Sequence, residues 1–320
     1  MKALSAKGLS KRYGPVAAVD GLDLEVDEGL LYGFLGPNGA GKTTTIRMAL
    51  GLVFPTSGQV EVLGRPIFRG GRPNPEAAAG LRRVGALVEE PAFWKYLSGR
   101  RNLECYARAA GPQGGRDARL GRIDDVLRLV GLESAANKRV KAYSQGMRQR
   151  LGIALALLGG PKVLLLDEPS NGLDPQGTRE VRLLLRRLAD EGTTVFVSSH
   201  LLAEVEAMCD RVGVLARGRL LAEGPPSNLR PSGNRVRLEV DDPVRASRVM
   251  AGLEGVLVED GDRAADGASA FTASLTAPAT AMSLNAALVS AGVGVSALVP
   301  VHESLEDVFV ELVEGADDIR

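Results

Sequence analysis

The stretch Gly36-Pro37-Asn38-Gly39-Ala40-Gly41-Lys42-Thr43 decides how the rest of the chain is read. Two glycines separated by four residues are followed by a lysine and a hydroxyl residue, the pattern of a phosphate-binding loop. Its surroundings are the ones that pattern needs. Leu30 to Leu35 is an apolar run of strand length, and Thr43 to Leu52 has helical periodicity, with Gly51 and Pro55 marking its end. Between a strand and a helix, glycines let the backbone curl until its N–H groups converge on an anion at the helix N-terminus. Gly36, Pro37, Asn38, Gly39, Ala40, Gly41, Thr43 and Thr44 are therefore expected to bind nucleotide. Lys42 is expected to bring a full charge to the β- and γ-phosphates, and the Thr43 hydroxyl to ligate Mg²⁺.

Further along, Val163 to Leu166 are apolar and run straight into Asp167 and Glu168. Two carboxylates thus stand at the carboxyl end of a buried strand, where ligands of α/β sheets collect. Asp167 is the expected second Mg²⁺ ligand. Strand neighbours face opposite ways, so Glu168 is expected to point elsewhere and to polarise an attacking water. His200 follows the strand Thr194 to Val197 after two serines, in reach of a γ-phosphate across the same crevice. Paired acids also end ordinary solvated strands, and a lone histidine is often structural; here both accompany a complete phosphate loop. His302 has no comparable context and is given no role.

One more segment, Tyr143-Ser144-Gln145-Gly146-Met147, makes the chain resemble an ATP-binding cassette domain over about residues 3 to 224. Ser144 and Gly146 stand where that family's signature presents donors to a γ-phosphate, while Tyr143, Gln145 and Met147 replace its commoner Leu, Gly and Gln. The resemblance implies an ATPase using ATP and Mg²⁺, with Lys42, Glu168 and His200 as its catalytic residues. In such proteins the signature faces the nucleotide of an opposite protomer, so a second ATPase subunit, most simply an identical chain, is implied. Tyr13 matches the aromatic that stacks on adenine, with Val16 beside it, and Asp174 of Ser170-Asn171-Gly172-Leu173-Asp174 belongs to the loop joining the protomers.

Where the family usually has glutamine after the strand Val84 to Val88, this chain reads Glu89-Glu90-Pro91. Glu89 is either a metal ligand that brings extra negative charge, resembling exporters of lantibiotics and related peptides, or a substitution without cargo meaning. Phe93, Trp94 and Tyr96, at the entry to the helical insert, are either a docking surface for an integral membrane permease or core residues. Together with the tail Ser304-Leu305-Glu306-Asp307-Val308-Phe309, these features resemble subunits that drive export of drugs, peptide antibiotics or lipids.

The fold class expected is an α/β P-loop ATPase core with a helical insert, plus a small ferredoxin-like α+β domain. Residues 1–224 form the first, with the insert at about 96–158, and residues 230–315 the second. The second domain rests on a strand, helix, strand, strand, helix, strand order read from Arg235 to Pro300, with Gly261 to Gly267 as a loop. A stripe of Leu305, Val308, Phe309 and Leu312 on Ser304 to Val313 is expected to pack on its own domain.

The 320 residues have room for two cores. Lys plus Arg total 39 and Asp plus Glu total 39, so no bulk positive field invites a nucleic acid, and no nucleic-acid partner is expected. Cys105 and Cys209 have no metal-ligand or disulfide-framework spacing. No run approaches the roughly 18 to 20 apolar residues that cross a bilayer. The expected location is the cytoplasmic face of the cell membrane, reached through the permease. A non-transport cassette protein of translation or DNA maintenance is the alternative; those generally carry tandem cassettes or a long coiled coil, and neither pattern is present.

Overall fold

In the computed structural model, which describes residues 1–89, 92–109, 116–229, 235–263 and 269–301, the chain forms two compact units, Met1–Pro226 and Ser227–Arg320. The first opens with two long strands, β1 (Lys2–Tyr13) and β2 (Val16–Asp27), before the wholly buried β3 (Leu31–Leu35). The phosphate loop leads into α1 (Lys42–Ala49), followed by β4 (Ser57–Val62) and the short β5 (Arg65–Pro66), β6 (Phe68–Arg69) and β7 (Arg72–Pro73). Next come α2 (Ala77–Leu81), β8 (Val84–Leu87) and the helices α3 (Gly99–Ala109), α4 (Arg116–Leu129) and α5 (Gln145–Leu157). The unit closes with β9 (Val163–Asp167), α6 (Pro175–Asp190), β10 (Thr194–Ser199), α7 (Leu202–Met208), β11 (Arg211–Ala216) and β12 (Arg219–Gly224).

The near-continuous apolar character of β3, β9 and β10 suits strands covered on both faces. They lie side by side in a sheet ordered β12-β11-β3-β10-β9-β8, parallel except for β12. Leu31, Leu35, Leu164, Leu165 and Leu166 are fully inaccessible, each contributing roughly 1.5–3 kcal/mol. Tyr32 stacks on Phe196 at 5.5 Å between ring centroids, and Phe34 meets the same ring at 5.2 Å. Register then decides where the strands stop. Ser198 pairs with Phe34 on one side and Asp167 on the other, and Ser199 pairs with Leu35, so the three carboxyl ends finish level.

A second, antiparallel sheet, β2-β1-β4-β5, was not legible from the alternation of its residues. Register shifts interrupt β1 between Lys2 and Leu4, Ala6 and Leu9, and Leu9 and Lys11, and each breaks the period of two by which a half-buried strand is recognised.

In the helical region, the signature tyrosine has a structural reason. Tyr143 is buried and its hydroxyl donates to Ala135 O at 2.8 Å; burial pushes its phenol above the usual tyrosine range. The ring fits because residue 99 is glycine, where a Cβ would stand 2.3 Å from the Tyr143 hydroxyl oxygen. Gly99→Ala is therefore expected to destabilise the protein by about 1–3 kcal/mol, and adding Tyr143→Leu to restore much of that loss in denaturant titrations. Equal destabilisation of the single and double variants would contradict this packing.

Trp94 and Tyr96 are exposed and Phe93 half-buried, so the core reading does not hold for the first two; Phe93 and Trp94 pack on Tyr106. Cys209 is buried, which pushes its thiol well above the usual range, whereas Cys105 is half-buried. Among the described residues no helix is long and apolar enough to cross a membrane.

The linking turn α8 (Pro226–Leu229) precedes the second unit's β13 (Arg235–Val240), α9 (Pro243–Ala251), β14 (Val256–Arg263), β15 (Ser269–Leu275), α10 (Ala281–Ser290) and β16 (Val295–Val301). The four strands form an antiparallel sheet ordered β14-β15-β13-β16. Val236, Leu238 and Val240 of β13 turn inward onto Ala246, Met250, Leu284 and Leu288 of the two helices. Asp242 and Thr280 cap those helices through side-chain bonds to Arg245 N and Ser283 N. Strand β14 runs on to Arg263 where a loop was expected, held by pairing with β15 across a bulge between Val258 and Asp260. Glu90, Pro91, the break at Gly111 to Gly115, His302 and the tail Ser304 to Val313 lie outside the described residues.

Candidate active site

The phosphate loop is shaped by what its glycines avoid. A Cβ on Gly36 would stand 2.3 Å from Leu215 O, and one on Gly41, at φ 110°, 2.3 Å from Ala18 O. Gly41 is the N-cap of α1 and supplies no side-chain cap, which leaves the helix N-terminus with the donor-rich, partly positive character that suits an anion. Asn38 and Gly39 form the exposed tip, Pro37 is half-buried, Ala40 is buried, and Thr43 and Thr44 are half-buried in the first helical turn.

Lys42 is only 5 % exposed, and its Nζ donates to Gly36 O at 2.7 Å and Pro37 O at 3.1 Å. It also lies 3.3 Å from Glu168 Oε1. The loop thus wraps around its own lysine, and one cation serves two carbonyls and a carboxylate. Beside it, Thr43 Oγ1 donates to Asp167 Oδ2 at 2.7 Å, and Ser198 Oγ donates to Asp167 Oδ1 at 2.6 Å. Both oxygens of Asp167 are therefore oriented.

Glu168 does not leave its neighbour by the pleat of a strand, as alternation predicts. Strand β9 ends at Asp167, and Glu168 takes a left-handed φ of 45° with its N–H bonded to Ser198 Oγ at 3.0 Å. A non-glycine residue at such a φ is held there by its surroundings. Its carboxylate is held as well, between Lys42 and His200, whose Nδ1 lies 3.1 Å from Glu168 Oε2. Opposite a carboxylate, Nδ1 acts as the donor.

Other expected residues stand apart from this cluster. Tyr13 is half-exposed at the turn between β1 and β2, paired with Val16, with Lys11 Nζ 5.0 Å from its ring centroid. Ser144 is the N-cap of α5 and accepts from Met147 N at 3.2 Å; Gln145 reaches Asn171 O at 3.4 Å. Asp174 is the N-cap of α6, accepting from Gly177 N at 2.8 Å. Glu89 has its carboxylate bonded to Arg47 of α1 rather than to Thr43 or Asp167. Sequence reasoning missed Arg47 and the part played by Ser198. For Ser198 the signal was present, since the apolar run of β10 gives way to two serines at the level of Asp167.

A buried cation on a glycine loop, an oriented carboxylate with a hydroxyl, and a second carboxylate flanked by lysine and histidine meet at level strand ends. Such a site can grip a triphosphate and polarise a water beside it. The model of the ABC transporter family matches residues 19–171, and the chain belongs to the ATP-binding cassette family. It is an ATP-binding, ATP-hydrolysing subunit. The chain is 42% identical over 308 residues to the bacitracin transport ATP-binding protein BcrA of Bacillus licheniformis, covering 96% of each. It is 35% identical over 324 residues to the daunorubicin/doxorubicin resistance ATP-binding protein DrrA of Streptomyces peucetius, covering 99% of this chain and 94% of that one. Among solved structures, the dimeric post-hydrolysis state of the ATP-binding cassette MJ0796, bound to ADP and Pi, matches with a TM-score of 0.62 and 25% identity, over 70% of this chain and 98% of that one.

Proposed function

We propose that this ATPase subunit works as a dimer on an integral membrane permease and drives export of a drug or peptide antibiotic. The hydrolytic part rests on one observation, the convergence of Lys42, Thr43, Asp167, Glu168, Ser198 and His200 at the level ends of β3, β9 and β10. The cargo class is supported by the near full-length similarity to proteins named for bacitracin transport and daunorubicin resistance. The same names weigh against a role in translation or DNA maintenance.

Each residue then has a task. Backbone N–H groups of Asn38, Gly39 and Gly41 to Thr44 cradle the phosphates, Lys42 neutralises them, and Tyr13 stacks on the adenine. Glu168 orients and polarises the attacking water, and His200 reaches toward the γ-phosphate. Ser144 and Gly146 face the nucleotide of the other copy, with Asp174 at the interface between copies. The paired oxygens of Thr43 and Asp167, 2.7 Å apart, fit Mg²⁺, a hard cation that takes one or two protein oxygens and completes its shell with phosphate and water. When bound there, Mg²⁺ supplies charge neutralisation to the phosphate oxygens. Glu89, tied to Arg47, is assigned to holding the end of β8 against α1. The second unit, by its element and strand order, is read as a ferredoxin-like accessory domain. The subunit as a whole is placed at the cytoplasmic face of the membrane, attached through the permease.

Deleting the gene from its host is expected to raise susceptibility to a polypeptide antibiotic or an anthracycline, with recovery by the parent chain and none by Glu168→Gln. Unchanged susceptibility across both classes would overturn the cargo reading.

A further inference from the structure

The segments that leave β9 and β10 are joined twice. The first join is the contact of Glu168 with His200 at 3.1 Å. The second lies two residues further along one segment and four along the other, where Ser170 Oγ donates to Glu204 Oε2 at 2.5 Å. A hydroxyl donating to an ionised carboxylate makes a charge-assisted bond, roughly twice as strong as a neutral one. Glu204 is buried in the first turn of α7, a helix anchored by the buried Leu202, Val205 and Met208. Ser199 Oγ stands 3.5 Å away, itself accepting from Leu201 N at 2.9 Å, and among the described residues no cation is paired with Glu204. A helix N-terminus accommodates a carboxylate. It does not account for this carboxylate reaching out of its own segment to Ser170.

We propose that Glu204 is a positioning residue for hydrolysis: by holding Ser170 it fixes the spacing between the segment that carries Glu168 and the one that carries His200. The inference rests on the hydrolytic roles proposed for those two residues. Glu168 sits in a strained left-handed conformation, so its segment relaxes unless something holds it. Asn171 N bonds back to Glu168 O at 3.1 Å and Leu173 N to Ser170 O at 3.1 Å, which makes the turn stiff enough to carry the restraint. The same turn leads to Asp174, so movement of that loop reaches the Glu168–His200 pair through Glu204.

The test is steady-state ATP turnover and ATP titration on the full chain. Glu204→Ala and Ser170→Ala are each expected to lower kcat about tenfold, equivalent to about 1.4 kcal/mol, with KM for ATP within about twofold. Glu204→Gln keeps an oxygen that accepts from Ser170, and its kcat is expected to stay close to the parent's. The double alanine variant is expected to be no slower than the slower single, because both remove one interaction. Parent-like kcat in both singles, or losses that multiply in the double, would overturn the inference. Glu168→Gln is measured alongside: if it turns over like the parent, the reading of the site fails; if it is silent while the alanine variants are unaffected, only the role of Glu204 fails.

Discussion

Glu168→Gln is expected to slow ATP hydrolysis by about 10²- to 10⁴-fold while ATP affinity holds or rises. The substitution is nearly isosteric, and its Oε1 can still accept from Lys42, which lies 3.3 Å from the present carboxylate. What disappears is the negative charge that polarises water. Removing a negative charge close to a triphosphate also relieves repulsion, so binding and turnover move apart. That divergence separates a catalytic role from a merely structural one, because a collapsed site would lose both. A coupled phosphate-release assay paired with equilibrium nucleotide titration reads the two quantities, and turnover at the parent rate would remove Glu168 from the chemistry.

Lys42→Ala is expected to weaken ATP binding about 10- to 100-fold, the range of roughly 1.5–3 kcal/mol that a hydrogen bond to a charged group is worth. Two losses add here. The phosphates lose a cation, and the carbonyls of Gly36 and Pro37 lose the donor around which the loop is wrapped. Glu168 is left without one of its two partners, so the variant is also expected to melt earlier. Lys42→Arg separates charge from shape, since the slot is 95 % closed to solvent and a planar guanidinium cannot take the place of a compact ammonium within it. Both variants are therefore expected to bind poorly, and unaltered affinity in either would remove the phosphate-loop argument.

What the sequence made legible was local. The phosphate loop, the acid pair after Val163 to Leu166 and the histidine after Thr194 to Val197 each sit next to the strand that places them, and each strand lies within a few residues of where it was read. The second unit was legible for the same reason, since the periodicities of Arg235 to Pro300 lie within single elements. What stayed hidden was pairwise. The bonds of Ser198 to Asp167, Arg47 to Glu89 and Ser170 to Glu204 join segments 31, 42 and 34 residues apart, and no spacing rule brings those partners together. Backbone conformation was hidden too. Nothing in a strand-like run ending in two acids announces that the second takes a left-handed turn, yet that turn, and not the pleat, aims Glu168.

The departures within the signature follow the same division. Tyr143 fills space opened by Gly99, forty-four positions earlier, and Gln145 lies against Gly172 in the loop after the acid pair. Both substitutions leave Ser144 and Gly146 alone. Gly146 is open: a Cβ there would meet only Leu173 Cδ2, at 3.5 Å. Among the described residues, packing within one copy thus does not account for its small size.

Joint possession of one ATP by two copies can be measured by analytical ultracentrifugation of Glu168→Gln with saturating Mg-ATP. Conversion from monomer to dimer is expected, and loss of that dimer when Gly146→Asp sets a carboxylate against the phosphates. A Glu168→Gln protein that stays monomeric with its nucleotide site full would mean that no ligand is shared across copies, and the proposed transport cycle would have no closing step.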